Sequence, residues 1–253
     1  MNSFASFACL LAEKSGKIIL SGFRKNLRVD RKDDDSPVTQ ADRDAEQRMR
    51  ELIEAKYPDH GILGEEYGKI RANAEYVWAL DPIDGTQSFI CGTPLFGTLI
   101  ALLKNGKPIL GVIHLPALKE TFVGVDGQAT TCNGEPVRVR ESVRTLKDAV
   151  LTSTDHLNVG KHQNEAAFLR LAKSVQLYRG WGDCYAYTLL AKGKVDIVVD
   201  PVMNAWDIQA LIPVVRGAGG VISDYQGHAP EKAKSIVAAS PALHPSVIRC
   251  LNS

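Results

Sequence analysis

Apolar positions at the start of the chain recur with a helical period. Phe4, Phe7, Ala8, Leu11 and Ala12, then Ser15, Ile18 and Ile19, fall on one face, so residues 3–22 are predicted as an amphipathic helix packed on the core. The stretch from Arg28 to Asp42 is dense in charge, carries Pro37 and reads as a mobile loop. Thr39 stands at its end as an N-cap for a helix over 40–57, halted before Pro58. Between residues 61 and 126 the period changes. Short apolar runs at 76–80, 98–103, 108–115 and 120–125 alternate with Gly, Pro and Asn turns and read as strands of a largely antiparallel meander.

After about residue 145 strands and helices interleave. Strands are expected at 149–154, 175–180, 195–200 and 235–240, and helices at 165–174, 184–193 and 206–218, with a closing helix over 241–253. Gly193 and Gly217 or Gly219 supply stop signals. The pattern suggests a single compact unit of two sub-domains, about 1–145 and about 146–253, without repeats or low-complexity stretches.

Composition narrows the function. The 253 residues carry 30 Lys and Arg against 29 Asp and Glu, a net charge of +1. That balance argues against a nucleic-acid binder held by phosphate neutralisation, and against an acidic disordered protein. Glu13, Lys14 and Lys17 interrupt the first apolar segment, so neither a membrane span nor a signal peptide is expected. The five cysteines are odd in number, far apart and form no C-x-x-C pair. A reducing, cytoplasmic setting is the expectation.

The candidate chemistry is acidic. Gly64-Glu65-Glu66 follows an apolar pair, Asp81-Pro82-Ile83-Asp84-Gly85-Thr86 follows a strand, and Trp206-Asp207 opens a helix. Asp81 and Asp84 flank a turn and can converge on one point, while Gly85 lets the backbone approach a ligand and the next amides cradle an oxyanion. Glu65, Asp81, Asp84 and Asp207 carry four negative charges, which two divalent cations would cancel. Hard oxygen donors of this kind suit Mg²⁺. Each stretch also has a plain reading: a solvated Asp-Gly turn, a solvated pair of acids, a core Trp beside a helix-capping Asp.

The six histidines lack metal-ligand spacing and read as surface or satisfied core residues, His156 included although its loop could approach the substrate; Cys184 reads as a buried structural thiol. No P-loop, no G-x-S-x-G elbow and no dinucleotide fingerprint is present, since Gly217-Ala218-Gly219-Gly220 reads as a helix end.

Taken together, Lys32-x-Asp34-x-Ser36-Pro37-Val38-Thr39-x-Ala41-Asp42 and the three acidic stretches, with Trp206-Asp207 leading into Gly217-Ala218-Gly219-Gly220, resemble the inositol monophosphatase family of Mg²⁺-dependent phosphomonoesterases. The resemblance runs over essentially the whole length. It implies an α/β (α+β) fold, a layered α-β-α-β-α sandwich of the inositol monophosphatase and fructose-1,6-bisphosphatase type, and a homodimer. It also implies two or three Mg²⁺ per site. Glu65, Asp81 and the Ile83 carbonyl would hold the first ion; Asp81, Asp84 and Asp207 the second. Gly85 and Thr86 would donate amides to the phosphate, Asp42 would bond the Thr86 hydroxyl and orient the attacking water, and Glu66 would stand behind the metals. The loop around Lys32 and Asp34 would close over the site. The implied reaction is hydrolysis of a small phosphate ester by in-line attack of a metal-activated water, open to competition by Li⁺.

The alcohol is chosen elsewhere. Gly182-Asp183-Cys184-Tyr185-Ala186-Tyr187 and the runs 98–102 and 211–215 resemble the branch acting on histidinol phosphate, with Asp183 as counter-charge to the ammonium. Gln87 stands where that branch usually shows Arg, Ala205-Trp206-Asp207 looks more like the inositol branch, and Asp183 could instead cap the helix beginning at Cys184. Inositol phosphate hydrolysis, a broad sugar or polyol phosphatase and a non-enzymatic metal- and phosphate-binding protein are the alternatives.

Overall fold

A computed structural model of the chain describes residues 3–25, 29–31 and 37–253. The first helical period becomes α1 (Ser3–Gly22). The charged stretch read as a loop contains a short antiparallel pair, β1 (Val29–Arg31) and β2 (Pro37–Thr39), each too short to show a period of two. Thr39 caps α2 (Gln40–Lys56). Its hydroxyl accepts from the Ala41 amide, and Asp42 at the third helical position accepts from the Thr39 amide.

Next come β3 (Gly61–Gly64), β4 (Gly68–Ile70), β5 (Tyr76–Asp84), α3 (Thr86–Ile90), β6 (Gly97–Lys104), β7 (Lys107–Leu115), β8 (Glu120–Val125), β9 (Thr131–Cys132) and β10 (Glu135–Pro136). They build an eight-stranded sheet in the order β10-β9-β8-β7-β6-β5-β3-β4. All its pairs are antiparallel except β3 with β5, which run parallel with Gly64 opposite Leu80. The remainder supplies β11 (Val150–Thr152), α4 (Val159–His162), α5 (Glu165–Ser174), β12 (Leu177–Arg179), α6 (Asp183–Ala191), β13 (Ile197–Asp200), α7 (Ala205–Gly217), β14 (Val221–Ser223), β15 (Ile236–Ala239) and α8 (His244–Leu251). Five of these are strands of a mixed sheet ordered β12-β11-β13-β15-β14.

Alternation along the apolar runs decides the layering. Trp78, Leu80, Ile100, Leu102 and Val112 turn to one side of the large sheet and pack on Leu11 of α1 and Met49 and Ile53 of α2. Their neighbours Ala79, Leu99, Ala101 and Ile113 turn the other way, into a cluster with Tyr187 and Leu190 of α6 and Leu211 and Val214 of α7. The same cluster takes Val198, Ile236 and Ala238 from the small sheet, whose opposite face packs on Phe168 of α5 and Val247 of α8. The result is the expected α-β-α-β-α sandwich. Among the described residues no helix is long and apolar enough to cross a membrane. The five cysteines are free thiols.

Candidate active site

The parallel pairing of β3 with β5 builds the first half of the site. Gly64 opposes Leu80, so the next residues along, Glu65 just past the end of β3 and Asp81 still paired with Leu99 of β6, come side by side. Three positions on, Asp84 ends β5, and Gly85 turns the chain with a left-handed φ of 84° into α3. The first amides of that helix have no intrahelical acceptor, as at any helix start.

The second half comes from helix N-termini. Asp207 is the third residue of α7 and accepts from the Asn204 amide at 2.7 Å. The plain reading of this acid as a cap therefore holds, and the same side chain also reaches the site: carboxylate oxygens of Asp81, Asp84 and Asp207 lie within 4.8 Å of one another. The Cys184 amide in the first turn of α6 donates to Asp84 Oδ2. Asp81 Oδ1 is buried and has no hydrogen-bond partner among the described residues. A buried orphan oxygen between two more carboxylates is an arrangement that a hard divalent cation satisfies.

The electrostatics agree. Burial pushes Asp81 well above the ordinary carboxylate range, and Glu65, Asp84 and Asp207 push it further. Burial with the charge of Asp207 raises Asp84 to about 7, and burial likewise brings Asp207 to about 7. Acids crowded out of water ionise reluctantly until a cation joins them.

Asp42 stands near Glu65, at about 6, raised first by burial. Its Oδ2 accepts from the Thr39 amide at 2.9 Å and the Thr39 hydroxyl at 2.6 Å, and its Oδ1 has no partner among the described residues. The expected bond to Thr86 is not made. Thr86 Oγ1 donates instead to the Ile83 carbonyl at 2.9 Å, because a side chain three residues along a turn finds that carbonyl first. Ile83 keeps one further lone pair. Lys32, Asp34 and Ser36 lie outside the described residues.

Two neighbouring hollows open beside these groups. One of ≈ 350 Å³ is lined by Glu65, Gly85, Thr86, Gln87 and Asp183 among others; the second, of ≈ 130 Å³, by Asp84, Asp183, Asp200, Met203 and Asp207. Thr154, Asp155 and Asp183 border both. Asp183 is no cap: Gly182 occupies the N-cap position of α6 and Asp183 follows it with φ 52°, a left-handed value rare outside glycine. Its amide donates to Thr154 Oγ1 at 2.8 Å, and its carboxylate takes a long bond from Ser88 at 3.4 Å. Burial, then Asp84 and Asp200, raise its pKa strongly.

Asp155 and Asp200 are cleft residues that sequence reasoning missed. Asp200 accepts from the Thr154 amide at 3.0 Å and the Tyr187 hydroxyl at 2.7 Å. A signal for it exists, since in the sequence Asp200-Pro201 follows an apolar run as Asp81-Pro82 does. His156 is absent from the cleft lining and packs edge-on against Tyr178. Cys184 is buried, and burial pushes its thiol well up.

Comparison with known proteins gives a consistent picture. The profile of the Inositol monophosphatase family matches residues 1–253. The chain is 45% identical to the bifunctional phosphatase IMPL2, chloroplastic, of Arabidopsis thaliana over 90% of its own length and 66% of that protein's. It is 43% identical to the histidinol-phosphatase of Chlorobaculum parvum, over 86% of this chain and 84% of the other. Among solved structures, an inositol monophosphatase from Zymomonas mobilis superposes with a TM-score of 0.88 at 38% identity, covering 98% of this chain and 97% of that one.

Proposed function

Because the chain belongs to the inositol monophosphatase family and is a phosphoric monoester hydrolase, we propose that its substrate is a cationic phosphorylated alcohol, histidinol phosphate, hydrolysed with Mg²⁺. One observation carries the choice. Beyond the cluster of Asp81, Asp84 and Asp207, the cleft is lined by three more carboxylates, Asp183, Asp155 and Asp200. Inositol offers only hydroxyls to such a surface. Histidinol phosphate brings an ammonium, for which a buried carboxylate such as Asp183 is the natural partner. The 43% identity to a histidinol-phosphatase supports the same reading.

Glu65, Asp81, Asp84 and Asp207, with the Ile83 carbonyl, would hold two Mg²⁺, whose charge when bound lowers the pKa of water and offsets the charge of the leaving oxygen. The residues of the chain do the positioning. Gly85 and Thr86 direct amides at the phosphate oxygens, and their orientation is fixed before substrate arrives. Asp42 Oδ1, without a partner among the described residues and on a carboxyl near 6, accepts a hydrogen bond from the water and holds it in line. The Thr86 hydroxyl, anchored on Ile83, keeps the turn in shape. Asp183 binds the ammonium from the first turn of α6, beside Gly85, and so couples recognition of the alcohol to the phosphate turn.

The test compares kcat/KM for histidinol phosphate and inositol 1-phosphate with Mg²⁺. A preference for histidinol phosphate of about a hundredfold or more, roughly 2.7 kcal/mol of transition-state binding, is expected. Equal rates or the reverse preference would assign the inositol branch.

A further inference from the structure

We infer that Glu46 is a positioning residue for Glu65, a buried carboxylate on α2 that clamps the turn carrying this acid. The inference rests on the reading of Glu65 as a metal-holding residue.

The three-residue turn after β3 is closed at its base by the pairing of Gly64 with Gly68 of β4, and its own amides are fixed from outside the hairpin. On one side the Glu65 amide donates to the Leu80 carbonyl at 3.2 Å. On the other, the next two amides both go to Glu46: Glu66 N–H to Oε2 at 2.7 Å and Tyr67 N–H to Oε1 at 3.2 Å. Three consecutive amides thus have assigned acceptors, and the backbone at Glu65 is held between β5 and α2.

The clamp is itself braced. The Glu46 side chain is 0% exposed and its charge is met by Arg50 Nε at 2.7 Å, one helical turn on. The other end of that guanidinium donates to the Gly68 carbonyl and lies 5.9 Å from the Tyr67 ring. One ion pair therefore grips the turn at Glu66, Tyr67 and Gly68. Closeness of approach depends on Gly64, where a Cβ would stand 1.9 Å from Glu46 Oε1 and 2.6 Å from Arg50 Nη2. A buried charge pair confers little net stability over apolar groups of the same volume. Its value here is orientation: residues behind metal ligands typically govern 10- to 100-fold of metal affinity.

The experiment titrates the full chain with Mn²⁺, following free ion by electron paramagnetic resonance, in wild type and in Glu46→Gln, Arg50→Lys and Glu65→Gln. Amide exchange at residues 66 and 67 is measured without metal. Glu46→Gln is expected to weaken Mn²⁺ binding about tenfold or more and to speed exchange at both amides. Arg50→Lys keeps the charge but loses the grip on Gly68, and should weaken binding by a smaller factor. It also decides the matter if Glu46→Gln does not fold. Wild-type Mn²⁺ affinity in the folded Glu46 variant, or in Arg50→Lys if that alone folds, overturns the clamp while a weakened Glu65→Gln leaves the metal reading intact. Wild-type affinity in Glu65→Gln removes the metal reading, and the clamp's purpose with it.

Discussion

The Cys184 amide donates to Oδ2 of Asp84 across 100 residues of sequence. This bond ties the end of β5 to the first turn of α6, so the acid that would face the leaving oxygen is oriented by the helix that carries Asp183. It leaves the other Asp84 oxygen for the cluster with Asp81 and Asp207. Asp84→Asn keeps the shape and removes the charge. Turnover at saturating Mg²⁺ should fall by at least about a hundredfold, since the ion's charge stabilisation is worth several kcal/mol. Wild-type kcat in that variant would place the chemistry elsewhere.

Asp183→Asn tests the alcohol side. Asn tolerates the left-handed backbone seen there and removes a charge that burial disfavours, so folding should survive, with a melting temperature no lower than that of wild type. A hydrogen bond to a charged group contributes about 1.5–3 kcal/mol, so kcat/KM for histidinol phosphate should drop roughly 10- to 100-fold. The value for inositol 1-phosphate should move by less than about threefold, the residue having no cation to meet there. Equal losses on both substrates would make Asp183 a part of the phosphate machinery instead.

Local signals carried far along this chain, and distant ones did not. Thr39 as a cap, the 165–174 helix and the apolar alternation of β5 to β8 depend on neighbours in sequence, and the structure has them where the residues suggest. The convergence of Asp81 with Asp84 is likewise set by one turn. What pairs Glu65 with Asp81 is a parallel ladder to a four-residue strand, Gly61–Gly64, too short to show a period. Asp155 and Asp200 enter the cleft only because β11 and β13 are parallel neighbours. The family resemblance implies an Asp42–Thr86 bond, but the nearer Ile83 carbonyl and the Thr39 cap take the two partners.

Metal binding should depend on pH with a defined sign. Asp84 and Asp207, at about 7, sit above their unfolded value near 3.9, chiefly through burial. Such groups favour the folded state while protonated, an advantage present in acid and lost as pH rises through about 7. Without metal, these acids should therefore weaken the fold from pH 5 to pH 8, and Mg²⁺ should raise the melting temperature more at pH 8 than at pH 6. Binding at pH 6 should release protons, measured by calorimetry in buffers of different ionisation enthalpy. Binding without proton release at pH 6 would contradict the shifts.

His60 works in the opposite direction. Trp78 Nε1–H donates to His60 Nδ1 at 3.1 Å, which requires a bare nitrogen, while Tyr57 and Tyr76 stack on the ring at 4.6 and 5.0 Å between centroids. Burial lowers the His60 pKa, against smaller opposite pulls from Asp59 and Glu75. Its contribution is present above the unfolded value near 6.5 and lost as pH falls below it. His60→Gln keeps an acceptor for Trp78 without a titrating group. Urea unfolding of wild type should weaken relative to this variant between pH 7 and pH 5, a difference in which the site carboxylates cancel. Parallel pH curves would show that His60 takes up its proton equally in the folded and unfolded chain, so that burial does not hold it neutral.

The last prediction concerns how α7 brings Asp207 to the sheet. Gly111 in β7 lies under this helix so closely that a Cβ would stand 2.1 Å from the Ala210 carbonyl oxygen and 3.1 Å from its Cα. Both contacts are backbone, so no rotamer relieves them. Gly111→Ala must push α7 off the sheet, and overpacking of this kind costs about 1–3 kcal/mol. Asp207 is three residues before Ala210 on the same helix, so the shift also moves a carboxylate of the cluster. The variant should show both a lower melting temperature and weaker Mg²⁺ dependence of kcat, whereas Gly106→Ala, at a turn with nothing within 4 Å of its added Cβ, should lose stability through its positive φ alone and leave Mg²⁺ dependence unchanged. Loss of stability in Gly111→Ala with wild-type Mg²⁺ dependence would mean that α7 yields at its far end and keeps Asp207 in place.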